Sequence, residues 1–242
     1  MASVDYVVIG AGYAGLHCAR KLIEKGFEVL VFDMRCAGGE LEVFSKLGVF
    51  TEKYFKFIEE VNELKKEVNI DLGTVIKSKP VIVNSRNGLK RFEARRAILC
   101  TGAADKVPMR LNVLRKKMSG IYTLDQSLRI LSENKKLGEK ILIAGKRDFV
   151  VNLAEKQLEE MEYDFEFVEA EGEDIQVIGK EKVEAVGVNG VEHRCDTLIF
   201  FNGREPFNPL KLKGTPVGNV AVYTYDYLRV EENVRNFLAK LQ

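Results

Sequence analysis

The sequence predicts an α/β protein in which parallel strands alternate with helices around an interposed β-meander. Three observations carry that expectation. Val4–Ile9 is an apolar strand that runs into Gly10-Ala11-Gly12-Tyr13-Ala14-Gly15, a helical stretch to Lys25-Gly26, and a second strand ending at Asp33. Lys140–Gly145 opens a second strand–turn–helix–strand succession, with its helix to about Met161 and its strand at Phe165–Val168. Between the two, short strand-like runs flank Asn87-Gly88, a dipeptide that favours the tight turn of a hairpin.

Each part of the first unit has a physical task. Gly10 permits a sharp turn out of the strand, Gly12 lacks a Cβ so that a pyrophosphate can lie against the backbone, and Gly15 lets the helix pack closely on the sheet. Tyr13 and Ala14 belong to the first turn of that helix, whose free N–H groups and positive dipole end attract phosphates. Asp33 closes the second strand where a carboxylate can accept both hydroxyls of an adenosine ribose, and it would repel a 2′-phosphate. A glycine motif that follows a strand, opens a helix and ends in an acid predicts a Rossmann-like dinucleotide site.

The bulk properties narrow the class. A chain of 242 residues suffices for one large or two small domains with a buried core. Hydrophobic residues make up 46% and charged residues 30%, which predicts a globular protein. Lys and Arg number 37 against 36 Asp and Glu, so no nucleic-acid footprint is expected, and short basic runs such as Arg115-Lys116-Lys117 read as solvated surface. No apolar run approaches the ~20 residues needed to span a bilayer, and no signal-peptide pattern opens the sequence; the expectation is a cytoplasmic protein without a membrane. The four cysteines, Cys18, Cys36, Cys100 and Cys195, form no C-x-x-C and read as small buried residues. The two histidines, His17 and His193, have no partners at metal-ligand spacing, so no metal site is expected.

After Asp33 come Met34-Arg35-Cys36-Ala37 and a second glycine pair, Gly38-Gly39. Phe50, Tyr54, Phe57, Ile58, Val61, Leu64 and Val68 then recur at three- and four-residue intervals and predict a packing helix. Asp71–Ile76 reads as a strand, followed by the meander over Lys79–Val83 and Lys90–Ala94. The apolar run Arg96–Cys100 ends in Thr101-Gly102-Ala103. With the glycine pair after the acid and this Thr-Gly strand end, the chain resembles the two-dinucleotide-binding flavoproteins of the pyridine nucleotide–disulfide oxidoreductase and thioredoxin reductase-like kind. The resemblance implies that the first unit holds the ADP half of FAD. By it, Asp33 holds the adenosine ribose with Met34 and Arg35 beside it, and Gly38 and Gly39 approach the pyrophosphate or ribityl chain. Val75 passes the adenine, and Thr101 and Gly102 run close to FAD.

Residues 109–138 are expected to cross outward, with Asp125 as the N-cap of a helix over Gln126–Ser132. In the family the second βαβ unit binds NAD(P)H. Here the glycine motif is broken: Gly145-Lys146-Arg147-Asp148-Phe149-Val150 keeps only its first glycine. Asp148 is expected to cap the helix, where its charge repels a pyrophosphate. The second unit therefore reads as degenerate, keeping the fold without ordinary NAD(P) binding. Short strands are expected around Gly172, Gly179, Gly187 and Asn189-Gly190. Thr197–Phe201 and Gly203-Arg204-Glu205-Pro206 resemble the family's return to the first domain. Gly218–Asp226 resembles its final strand, with Asp226 as the candidate ligand of the flavin ribityl or pyrophosphate, and a helix is expected over Glu231–Leu241.

The resulting expectation is an FAD-binding domain at 1–112 and 198–242 with an inserted, degenerate NAD(P)-binding-like domain at 113–197. Without a redox dithiol, the resemblance implies an oxidoreductase that passes electrons through FAD, with a partner subunit or second copy covering the flavin. Two alternatives stand beside it. One is a non-catalytic flavoprotein-like subunit; the other is an NAD(P)H-dependent flavin reductase with an atypical nucleotide site.

Overall fold

A computed structural model describes residues 3–107, 118–170 and 175–241. The chain forms two compact units. The first holds the described residues up to Ser45, Tyr54–Ala104 and those from Glu205 onward; the second holds Lys46–Lys53 and the described residues of Asp105–Arg204.

In the first unit, β1 (Ser3–Ile9) leads through the glycine turn into α1 (Tyr13–Glu24), and β2 (Val29–Asp33) returns beside β1. A short α2 (Glu40–Phe44) follows, then α3 (Gly48–Glu67), which departs from helical geometry at Tyr54, where its residues pass from the second unit's share of the chain to the first's. The apolar stripe expected along α3 is buried at every named position from Phe50 to Val68. Next come β3 (Asp71–Leu72), β4 (Thr74–Ser78), β5 (Val81–Ser85), β6 (Gly88–Leu99) and β7 (Ala103–Asp105). The sheet runs in the order β3-β2-β1-β6-β5-β4. β1 pairs in parallel with β2 on one side and β6 on the other, while β4, β5 and β6 form the antiparallel meander. The expected runs at 90–94 and 96–100 are one strand, because β6 serves the hairpin and the parallel sheet along a single length.

The second unit carries β8 (Ile121–Thr123), α4 (Leu124–Ser132), β9 (Lys140–Gly145), α5 (Phe149–Glu160), β10 (Asp164–Glu169), β11 (Ile175–Gly179), β12 (Val183–Val188), β13 (Val191–His193) and β14 (Thr197–Phe201). Its parallel sheet has the order β10-β9-β14-β8, and β11–β13 form a separate antiparallel sheet. Leu142, Ala144, Val186, Leu198 and Phe200 are among the residues that fill its core. Two sequence expectations change here. The N-cap of α4 is Thr123, not Asp125: Thr123 Oγ1 accepts the Gln126 N–H, and Gln126 Oε1 accepts the Thr123 N–H. This reciprocal box outcompetes Asp125, whose carboxylate instead takes Arg129. Strand β14 lies between β9 and β8 in the second unit's own sheet, so the chain rejoins the first unit only after Arg204. The expected domain start at 113, the basic run 115–117 and the strand around Gly172 lie outside the described residues.

The chain closes with β15 (Arg204–Pro206), which pairs with β7, then β16 (Thr215–Pro216) along β6, α6 (Asn219–Val222) and α7 (Tyr227–Leu238). Gly218–Asp226 is therefore not a strand. Gly218 starts α6 at φ +75°, Tyr223 ends it in the left-handed region, and the Asn219 side chain accepts the Thr224 N–H at 2.8 Å. The alternating apolar side chains of Val220 and Val222 mimic a strand, but the local turn chemistry decides the backbone.

Candidate functional site

The carboxyl ends of β1, β2 and β6 meet where the strand order reverses about β1, the position at which open α/β sheets bind ligands. A cleft of about 590 Å³, counted with its open mouth, lies there. Ile9, Gly10, Phe32, Asp33, Met34 and Val75 line it, with Thr101 at the end of the β6 strand. Met34 is exposed at the rim, whereas Val75 is buried. The opposite wall is Phe207 to Leu210 with Leu212, closed into a loop by Asn208, whose side chain donates to the Leu212 carbonyl and accepts the Leu212 N–H. That wall follows the Gly203–Pro206 return, and no part in the site was expected of it.

Beside the cleft the two glycine loops face each other. The Gly12 Cα lies 3.1 Å from where a side chain on Gly39 would begin, so a side chain there would close the gap. The Gly38 N–H donates to the Ala11 carbonyl at 2.8 Å and joins the loops. Gly15 sits with its missing Cβ 1.9 Å from the Gly10 carbonyl oxygen, so the helix approaches the strand as closely as the chain allows. Gly10 has φ +104°, and a side chain on it would meet the Cys100 carbonyl at 2.2 Å. Ala14 is pressed from the other side by Gly218. Gly12 is the N-cap of α1, with no side-chain cap and no acid in the first turn. An anion arriving there meets free backbone donors.

Asp33 does more than end a strand. Its Oδ2 accepts the Ala11 N–H at 2.8 Å, and its Oδ1 accepts the N–H groups of Arg35 at 2.8 Å and Cys36 at 3.2 Å. Its carboxylate thus fixes both loops, and Arg35 itself is exposed. The Tyr13 side chain is buried. The phenol donates to Glu60 Oε2 at 2.9 Å, and the ring packs on His17, Phe57 and Tyr227. Burial and the Glu60 carboxylate push the Tyr13 phenol far above its usual range. Of the aromatic cluster of Tyr13, Phe44, Tyr54, Phe57 and Tyr227, only Tyr54 and Phe57 showed in sequence, as part of the α3 stripe, because the other members come from α1, α2 and α7. Gly102 accepts the Phe207 N–H on its carbonyl. Asp226 caps α7 by accepting the Leu228 N–H at 3.0 Å and is not among the residues lining the cleft.

Two features test whether a dinucleotide fits the first unit. Thr101 Oγ1 is buried at the cleft without a hydrogen-bond partner among the described residues. A buried hydroxyl left unpaired costs stability unless a ligand meets it. The second feature is the uncapped start of α1 beside the Gly12–Gly39 gap. The hydroxyl fits a polar group of a ligand in the cleft, and the helix start fits an anion such as a diphosphate.

The second unit gives the opposite result for NAD(P)H. Asp148 caps α5, its carboxylate accepting the Val150 N–H at 3.3 Å. Arg147 lies with its guanidinium 3.6 Å from the Phe167 ring centroid and pairs with Glu155 at 2.5 Å, so its charge is already taken. Val150, in place of the helix-packing glycine, is fully buried. A pyrophosphate would have to displace the chain's own carboxylate, and the residues do not fit it.

Of the scattered cysteines, Cys18 and Cys100 come together in the core, and a hydrogen bond between their thiols together with burial raises the Cys100 pKa. Cys195 is pushed up to about 11 by burial and the neighbouring Asp196, and Cys36 is exposed. His193 Nδ1 lies 3.1 Å from Glu166 in the second unit. Among the described residues no group of His, Cys, Asp and Glu is placed to hold a metal ion, and no helix is long and apolar enough to cross a membrane.

Residues 4–151 match the sequence model of the family described as pyridine nucleotide-disulphide oxidoreductase. No curated protein sequence matches the chain. Among solved structures it is similar to L-proline dehydrogenase from P. horikoshii at 26% identity and a TM-score of 0.67, over 85% of this chain and 43% of that one. Thioredoxin reductase from Lactococcus lactis matches at 14% identity and a TM-score of 0.62, over 98% of this chain and 100% of that one. An HOCl-induced flavoprotein disulfide reductase from Escherichia coli matches at 16% identity and a TM-score of 0.60, over 98% and 71%. The last two likenesses concern the fold. The chain thus spans less than half the length of the proline dehydrogenase chain it resembles.

Proposed function

The chain belongs to the pyridine nucleotide-disulphide oxidoreductase family, and on that premise we propose that its first unit binds FAD and passes electrons through it without a disulfide, as a small redox subunit or homo-oligomer. The observation that carries the reading is Thr101: a buried hydroxyl with no hydrogen-bond partner among the described residues, at a cleft that Gly10, Asp33 and Val75 also line. The flavin, when bound, supplies the redox chemistry. The chain's own part is to hold and orient the ligand. Gly12 and Gly39 frame the diphosphate, Asp33 fixes the two glycine loops and faces the ribose, Met34 and Val75 flank the adenine, and Thr101 donates its hydroxyl.

Electrons are proposed to enter from a partner protein or second copy rather than from NAD(P)H, because the Asp148-capped α5 and the engaged Arg147 leave no seat for a pyrophosphate. The likeness to L-proline dehydrogenase from P. horikoshii supports a role in a dehydrogenase.

The test is the absorption spectrum of the purified protein before and after incubation with FAD. The expected result is a yellow protein with a two-banded flavin spectrum, unbleached by NADH or NADPH under anaerobic conditions. A colourless protein that takes up no FAD overturns the reading. Bleaching by NADH returns the flavin reductase alternative.

A further inference from the structure

Gly38 gives up its side chain to a lysine. The position its Cβ would take lies 2.9 Å from both Cε and Nζ of Lys65, so a side chain at 38 would make the ammonium end of Lys65 shift. Lys65 stands near the end of α3, and its Nζ pairs with Glu42 of α2 at 2.5 Å; only 23% of the Lys65 side chain is exposed. The loop it touches is the one that frames the cradle. The Gly38 N–H binds the Ala11 carbonyl, and Gly39, the next residue, faces Gly12. An ammonium group, the glycine pair and the uncapped start of α1 are therefore joined within a few residues.

We propose that Lys65 is a recognition residue for the diphosphate of the bound nucleotide. Glu42 engages one of its three N–H donors, and the others remain for an anion in the cradle. In this half-buried place the charge is screened less than on the open surface, so an arriving diphosphate is attracted more strongly than by an exposed lysine. Glu42 sets the position of the ammonium and moderates its charge while the cradle is empty. This inference rests on the nucleotide reading of the first unit.

The experiment is isothermal titration of the full chain with adenosine, ADP and FAD. The wild type is expected to bind ADP and FAD more tightly than adenosine. Lys65→Met should weaken ADP and FAD about tenfold while leaving adenosine unchanged, and Lys65→Arg should restore most of the loss. Glu42→Gln separates recognition from scaffolding: it frees the ammonium and should keep or raise ADP affinity. If Lys65→Met does not fold, Lys65→Gln carries the same comparison. Unchanged ADP binding in Lys65→Met overturns the proposal while leaving the FAD reading intact. So does an equal loss of ADP and adenosine binding, or a loss in Glu42→Gln as large as in Lys65→Met. A wild type that binds neither ADP nor FAD overturns the nucleotide reading itself, and this inference with it.

Discussion

The Ala11 N–H donates to Asp33 Oδ2 at 2.8 Å, tying the glycine loop after β1 to the end of β2. The same carboxylate accepts from Arg35 and Cys36, so three backbone donors depend on one side chain. Asp33→Ala leaves them to solvent or unpaired. It should lower stability by about 2 kcal/mol and weaken FAD at least tenfold. Asp33→Asn keeps one carbonyl acceptor and should fall between. Chemical denaturation and flavin titration of both variants check this.

Gly12 and Gly15 should separate binding from folding. A Cβ on Gly12 meets nothing closer than Gly39 at 3.8 Å, whereas one on Gly15 would lie 1.9 Å from the Gly10 carbonyl. Gly12→Val is expected to fold with a near-normal melting temperature yet take up no FAD. Gly15→Ala should lose roughly 1–3 kcal/mol through overpacking. Circular dichroism melts read together with flavin absorbance distinguish the two effects. Wild-type FAD affinity in Gly12→Val would show that the diphosphate does not lie there.

Acid should destabilise the first unit through His17. Burial lowers the imidazole pKa below its usual 6.5, and Glu60, 3.4 Å from Nε2, opposes this only in part. The unfolded chain therefore binds the proton first. The stabilisation is whole above about pH 6.5 and is lost as pH falls through the folded-state value. The melting temperature should drop between pH 7.5 and 5.5, and His17→Gln should flatten that slope. An unchanged slope in the variant would remove His17 as the cause.

The second unit should ignore pyridine nucleotides in a specific way. Asp148→Ala removes the α5 cap and should cost about 1 kcal/mol without creating NADH binding, since Arg147 and Val150 still obstruct the turn. Fluorescence titration with NADH and NADPH checks both proteins. Saturable binding by the wild type would contradict the expectation.

Much of this was legible in the sequence because it depends on local rules. The β1–α1–β2 unit, the Asn87-Gly88 hairpin, the stripe from Phe50 to Val68 and the Asp148 cap each follow from neighbours within a turn or two. What escaped depends on partners distant in the chain or on competition between equals. Thr123 and Asp125 are both good caps, and only Gln126 decides between them. Val220 and Val222 alternate as in a strand, yet Gly218, Asn219 and Thr224 make a helical turn. The hold of Asp33 on Ala11 spans two loops, and so does the approach of Lys65 to Gly38; no spacing rule reports either.

The bare start of α1 has a thermodynamic meaning beyond recognition. Among the longer helices, α4, α5 and α7 each supply their own N-terminal cap from Thr123, Asp148 and Asp226, while α1, like the short α2 and α6, starts at a glycine with no side-chain cap. If the first unit binds FAD as proposed, the ligand completes that helix start and occupancy becomes part of folding. Binding to the native state alone adds RT ln(1 + [L]/Kd), roughly 2.7 kcal/mol when the free nucleotide stands at a hundred times its dissociation constant. Made where flavin is scarce, the chain would fold less completely and be cleared sooner, so that its abundance would follow the supply of its cofactor.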